Sequence, residues 1–166
     1  KKGENIKVQS TKKTRAAAVM NLVGTGVCLL PAAVTLILLK CSGIDAGAEE
    51  PAEAIGFALA AVVLIAVAAA VQFPACILSM GYNLFFGIYL LKRETKRRAA
   101  WLYVVSAVVK IGAAVCLLFV APFLFALFGA LTGALAAGIS VLSACYLAAL
   151  VAVEHFSARE NKAISQ

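Results

Sequence analysis

A single lysine stands inside the most apolar part of this 166-residue sequence. Lys110 is the only charged residue between Trp101 and Val153. A lysine at the centre of a bilayer costs roughly 2.5–3.5 kcal/mol on insertion scales, and such residues mark ion pathways, polar pairs or contacts with partners. Lys110 is therefore the first candidate for chemistry in this chain.

Two further polar residues are expected at the depth of Lys110. Lys110, Asn83 and Tyr146 each lie eight or nine residues from the charged or aromatic end of their apolar runs. At about 1.5 Å per helical residue, each lies roughly 12–14 Å below the same membrane surface. Side-chain oxygens of Asn and Tyr accept hydrogen bonds from an amine. The spacing predicts a polar cluster of Lys110, Asn83 and Tyr146 within the membrane.

Three interpretations of Lys110 stay open from the sequence. The side chain can snorkel toward the cytoplasmic interface, contact a carboxylate of a partner subunit, or line an anion or proton pathway. No acidic residue of this chain is expected at its depth. Glu154 and His155 follow the last apolar run directly, and this position predicts solvated residues at the inner interface.

The remaining reactive residues do not form a recognisable catalytic or metal motif. His155 is the only histidine, and no C-x-x-C pair occurs among the five cysteines. The cysteines are expected to act as small buried hydrophobic residues, with Cys41 at a membrane edge. The sequence also lacks a Ser-His-Asp grouping and a P-loop. We therefore expect a non-enzymatic protein with no metal and no cofactor.

The elements that carry these residues are predicted to be membrane helices. Hydrophobic residues make up 63% of the chain and charged residues 14%, with a mean hydropathy of +0.97. Soluble domains are about half apolar. The predicted fold is all-α, an integral membrane four-helix (tetraspan) bundle. A basic cytoplasmic tail (1–15) and a C-terminal cytoplasmic tail (155–166) flank the domain (16–154), whose spans are predicted at about 16–39, 54–91, 99–126 and 130–153.

The second apolar run is unusually long for one membrane span. Its 38 residues, 54–91, would make a helix of roughly 57 Å, against a hydrocarbon core of about 30 Å. The run could be tilted and kinked at Pro74, project from the bilayer, or form a tight hairpin around 72–74. Pro31 and Pro122 predict kinks in the first and third spans.

The distribution of basic residues favours one of these alternatives. The loop 92–98 carries five basic residues, and short basic loops stay in the cytoplasm. The N-terminal segment is basic as well, so an even number of spans must precede residue 92. The sequence therefore predicts one long kinked second helix, with both termini cytoplasmic. The basic blocks lack interleaved aromatic residues, which argues against nucleic-acid binding.

Small residues recur on the fourth predicted span and allow close helix packing in lipid. They form a ladder at four-residue spacing with an extension into the preceding turn, 128–133: Ala136, Ser140, Ala144, Ala148, Ala152, Gly129 and Gly133. The ladder is expected to face either its own bundle or another subunit.

The predicted function is that of a small tetraspan accessory, assembly or scaffold subunit of a larger membrane complex. The alternative is a small oligomeric channel or transporter in which Lys110 is an anion- or proton-linked group. The expected partners are the lipid bilayer, other membrane-protein subunits or further copies of the chain, and a bound lipid. The sequence fits a plasma membrane and an organellar inner membrane equally well.

Overall fold

The computed structural model describes residues 2–41, 59, 62–63, 65–92 and 100–164, and all of them are helical. Helix α1 spans Lys2–Cys41. A π-helical segment, Ala68–Gln72, leads directly into α2, Phe73–Lys92, and α3 spans Ala100–Ile164. Because α1 begins at Lys2, most of the basic segment predicted as a tail has a helical backbone.

Among the described residues, four helical segments are long and apolar enough to cross a membrane. They are Thr14–Leu38, Ile65–Leu91, Trp101–Ala126 and Leu131–Arg159. The predicted all-helical architecture with four membrane-length helices is therefore confirmed. The last segment extends beyond the predicted end at residue 153, and this extension changes the environment of Glu154. Most of residues 54–64, where the second span was predicted to begin, lies outside the described residues.

Helix α3 contains two of these segments and folds back on itself. A Cβ atom built on Gly133 would lie 2.7 Å from the carbonyl oxygen of Phe125 and 2.9 Å from its Cα atom. Eight residues of straight helix would separate the two positions by about 12 Å. The chain therefore reverses between Phe125 and Gly133, and this close approach of two backbones requires glycine. We call Trp101–Ala126 the first arm and Leu131–Arg159 the second arm.

The buried residues of all four segments follow one repeat. Residues that face the interior recur at steps of three and four, which alternate except between Leu102 and Lys110; this is the heptad pattern of left-handed helix bundles. We call each such stripe a seam. The seams comprise Thr14, Ala17, Asn21, Gly24, Cys28, Pro31 and Thr35 on α1; Gln72, Cys76, Ser79, Asn83, Phe86 and Leu90 before and along α2; Leu102, Ser106, Lys110, Ala113, Leu117, Val120 and Leu124 on the first arm; and Gly133, Ala136, Ser140, Ser143, Leu147, Leu150, Glu154 and Ser157 on the second arm.

Polar side chains are concentrated on the seams, whereas large apolar side chains point outward. Twelve polar or charged residues of the described part are buried, and Lys110 and Glu154 are among them. The exposed side chains include many large hydrophobic residues, for example Leu36, Leu78, Val108 and Leu142. A soluble bundle shows the opposite distribution. The arrangement suits a hydrocarbon surrounding, in which intramembrane ionisable groups face the bundle interior.

The small-residue ladder of the second arm does not stay on one face. Ala136, Ser140 and Ala144 are buried, whereas Ala148 and Ala152 are exposed. A strict four-residue step rotates by about 40° each time around an α-helix, so the ladder winds from the interior to the outer surface. Gly133, in the predicted extension, is buried at the reversal of α3; the surroundings of Gly129 lie outside the described side chains.

The three prolines predicted to cause kinks lie in helical surroundings. Pro31 and Pro122 are inside α1 and the first arm. Pro74 is the second residue of α2 and follows the π-helical segment directly. Pro74 lacks the N–H that an α-helix directs at the carbonyl four residues earlier, and single π-helical turns are local departures from α geometry of the kind that accompany kinks.

Candidate functional site

The most polar part of the bundle interior is an ion pair between the two arms of α3. The Lys110 ammonium binds the Glu154 carboxylate, and the two side chains are 0% and 3% exposed. The residues are 44 positions apart in the chain and meet because α3 reverses near Gly133. Both lie on seams, so the heptad register of each arm directs them at each other.

The Lys110 ammonium is fully engaged within the chain. Besides Glu154, it donates a hydrogen bond to the side-chain oxygen of Asn21 on α1, with an Nζ–Oδ1 distance of 2.7 Å. It also lies 5.4 Å from the centre of the Phe86 ring on α2, within the range of a cation–π contact. An ammonium has three donors, and two oxygens and one aromatic face meet this number. The ion pair therefore contacts all four membrane-length segments.

Three donors converge on the Glu154 carboxylate. In addition to Lys110, Asn21 Nδ2 donates to Oε1 at 2.8 Å and the Ser106 hydroxyl donates to Oε2 at 2.7 Å. The second amide proton of Asn21 is donated to the carbonyl oxygen of Ala17, one turn earlier, at 2.9 Å. Each polar group of Asn21 thus has a partner. We call Asn21, Ser106, Lys110 and Glu154 the charge network.

The chemistry of the charge network is that of a closed electrostatic contact. Buried ion pairs are tolerated when additional hydrogen bonds satisfy the remaining polar atoms, and this network meets that condition. Its donors are directed at acceptors of the same chain, so an anion would have to displace Glu154 to reach Lys110. The geometry suits a contact that fixes the register of three helices.

A second buried polar group lies beside the charge network. Cys28 Sγ is 3.2 Å from the Ser79 hydroxyl, and Asn83 Nδ2 donates to the same sulfur at 3.5 Å. The side-chain oxygen of Asn83 is buried and has no hydrogen-bond partner among the described residues. A buried unpaired oxygen is uncommon in folded proteins.

Asn83 and Tyr146 have hydrogen-bond partners other than Lys110, with which the sequence predicts them to cluster. The Tyr146 hydroxyl donates to the carbonyl oxygen of Met20 at 2.8 Å, and Asn83 contacts Cys28. Neither side chain has a hydrogen bond to Lys110 among the contacts of the described residues. Both approach Gly24, where an added Cβ would lie 3.2 Å from an atom of each. They pack beside the charge network and leave the ammonium to Asn21 and Glu154.

The expectation that Glu154 is a solvated interfacial residue is wrong. Glu154 is 2% exposed, because the second arm continues as helix to Arg159 and beyond. The expectation that Lys110 has no acid of its own chain at its depth is wrong for the same reason. The register was available in the sequence, since Leu147, Leu150, Glu154 and Ser157 continue the seam in steps of three and four. Exposed His155, next to Glu154, does point away from the interior.

The described residues include no group of three or more His, Cys, Asp or Glu residues suited to a metal ion. Four cysteines of the described part are free thiols: Cys28 and Cys76 are buried, Cys116 is half-buried and Cys145 is exposed. Comparison of the chain with protein-family models, with curated proteins and with solved structures found no match.

Proposed function

We propose that this protein is a non-enzymatic tetraspan that acts as an accessory, assembly or scaffold subunit of a larger membrane complex. The observation that carries this proposal is the closed charge network. Lys110, the residue whose sequence position suggested a transported ion or a partner's carboxylate, has its donors directed at Asn21, Glu154 and the Phe86 ring. A site that is complete within one chain supports a structural role.

The outer surface supports the same proposal. With the charge network turned inward, the described spans present mainly apolar side chains to their surroundings. Such a surface contacts lipid and the helices of neighbouring subunits, which associate in membranes through close packing. We propose a multi-pass orientation with both termini and the basic loop 92–98 in the cytoplasm, as the distribution of basic residues favours. The second span is proposed to bend near Pro74.

Co-purification tests this function. The tagged protein, expressed at its native level and extracted in a mild detergent, is expected to elute with one or more membrane subunits at fixed stoichiometry. Native mass spectrometry would measure the ratio. The exposed Lys40→Met substitution should leave it unchanged. Isolation of a homo-oligomer alone that conducts ions or carries a solute in liposomes would contradict the proposal.

A second candidate function is a small oligomeric channel or transporter with Lys110 as its anion- or proton-linked group. One observation favours it: the buried Asn83 oxygen is unpaired, and Asn83 lies one helical turn before Phe86, whose ring faces the Lys110 ammonium. A buried polar atom without a partner suggests a place for a water molecule or a passing proton. Proteoliposomes with a pH-sensitive dye inside should then show a proton or anion flux that Lys110→Met abolishes. Equal flux with and without the protein would exclude this candidate.

A further inference from the structure

Sulfur-containing side chains are concentrated in one part of the bundle core. Cys28 of α1 and Cys76 of α2 are buried in the same apolar cluster, which also contains Leu117 and Leu147. Both methionines of the chain, Met20 and Met80, pack against this cluster, and so does Cys116. Thiols and thioethers are soft ligands, so their gathering in a protected interior is a reason to consider a metal.

Cys28 and Cys76 are neighbours across the contact between α1 and α2. Cys76 precedes Ser79 by three residues, so the two lie on one helix face with Cβ atoms about 5–6 Å apart. The Ser79 hydroxyl is 3.2 Å from the Cys28 sulfur. The two cysteines belong to one buried cluster, and both are free thiols. A single ion between α1 and α2 could therefore contact both sulfurs.

The polar surroundings of Cys28 differ from those of a sulfur in a plain apolar core. The Ser79 hydroxyl and the amide nitrogen of Asn83 both contact its sulfur. The Asn83 oxygen, buried and unpaired, belongs to the same group and is a polar atom with unused capacity beside this sulfur.

We propose that Cys28 and Cys76 form an intramembrane site for a soft monovalent metal ion, Cu(I), with the Met80 thioether as third ligand. Met80 follows Cys76 by four residues and therefore lies on the same side of α2. Structural zinc requires four N or S ligands, and the described residues offer no group of three His, Cys, Asp or Glu. Cu(I) accepts fewer ligands and prefers thiolate and thioether sulfur. Each thiol that binds as thiolate releases its proton to solvent.

This site does not depend on the proposed scaffold function. A subunit that assembles a complex and a subunit that conducts a solute could equally hold such an ion. The experiment therefore measures the metal itself. It uses the full-length protein in detergent, reduced with ascorbate and titrated with Cu(I) in competition with a chromogenic Cu(I) chelator.

The expected result is one Cu(I) per chain, with X-ray absorption showing copper bonded to sulfur. The double substitution Cys28→Ser/Cys76→Ser should abolish stoichiometric binding. The matched double substitution Cys116→Ser/Cys145→Ser removes the same number of thiols and should retain it. Ser79→Ala, which removes a contact to the Cys28 sulfur, should weaken the affinity by about 10- to 100-fold.

Two further measurements keep the test decisive if a variant folds poorly. Cys76→Met keeps a soft ligand and should retain binding, whereas Cys76→Ser should lose it, and circular dichroism checks that both remain helical. Binding that persists in Cys28→Ser/Cys76→Ser would overturn the proposal. So would binding lost equally in both double variants, or isolated protein in which Cys28 and Cys76 are joined in a disulfide.

Discussion

Removal of one member of the Lys110–Glu154 pair should be far more damaging than removal of both. Both side chains are almost completely buried, so each single substitution leaves a partner that must keep an uncompensated charge or change its protonation. Breaking a buried pair in this way costs about 3–5 kcal/mol of unfolding free energy. We expect losses of this size for Lys110→Met and for Glu154→Gln.

The double variant, Lys110→Met with Glu154→Gln, should be less destabilised than either single variant. The glutamine keeps an oxygen that can accept from Asn21 or Ser106, and the main remaining defect is the Asn21 oxygen that has lost its donor. One such buried unpaired group costs about 1–3 kcal/mol. The double-mutant cycle should therefore give a coupling energy of about 3 kcal/mol or more in favour of the pair.

The assay is reversible unfolding in mixed micelles, followed by circular dichroism. Lys40→Met is the matched control, because it removes the same group from an exposed position at the end of α1; its stability should change by less than about 0.5 kcal/mol. Additive single substitutions, with a double variant as unstable as the sum of the two, would refute the reasoning about the charge network.

Three further predictions follow from the packing and the topology. Gly133→Ala should destabilise the bundle by about 1–3 kcal/mol in thermal unfolding, because its Cβ would collide with the Phe125 backbone. Gly138→Ala is the control: it lies in open space on the same arm and should leave the unfolding temperature unchanged or raise it slightly. Equal effects of the two substitutions would contradict the reversal at Gly133. Ala144→Leu should lower the unfolding temperature whereas Ala148→Leu should not, since only Ala144 is buried; a destabilising Ala148→Leu would show that the seam has another register. Single cysteines introduced at residues 46 and 96 into a cysteine-free variant should react with a membrane-impermeant reagent from opposite sides; labelling of both from one side would defeat the four-span topology.

The sequence predicts the number of membrane-length helices. It also predicts that Lys110 requires polar side-chain partners. Long uncharged runs between short charged blocks have few alternatives to helices in lipid, and a lysine among them must be satisfied. The identity of its partners does not follow from the sequence in the same way. A depth counted from the nearest charged residue treats Glu154 as the end of a span, whereas the helix continues and the heptad register directs Glu154 inward.

Side-chain partners depend on rotation around the helix axis as well as on depth. Asn83 and Tyr146 are predicted to cluster with Lys110, yet they engage Cys28 and the Met20 carbonyl. Asn21 on α1 was visible as a polar residue in the first span, but nothing in its own segment indicates that α1 packs against both arms of α3. The ladder that ends at Ala152 illustrates the same point, since a four-residue step drifts around the helix whereas the alternating step of the seam does not.

A measurement of the Lys110–Glu154 contact in a lipid bilayer tests the charge network most directly. Solid-state NMR on protein labelled with ¹⁵N in lysine side chains and ¹³C in glutamate side chains would detect dipolar coupling between the Lys110 nitrogen and the Glu154 carboxyl carbon. If the two side chains are paired, the coupling should correspond to hydrogen-bonded partners, with a nitrogen-to-carbon distance of about 3–4 Å. The nitrogen should be that of a charged ammonium, and the coupling should disappear in Glu154→Gln. A Lys110 nitrogen without coupling to any glutamate, in contact with lipid headgroups or water instead, would contradict this pairing.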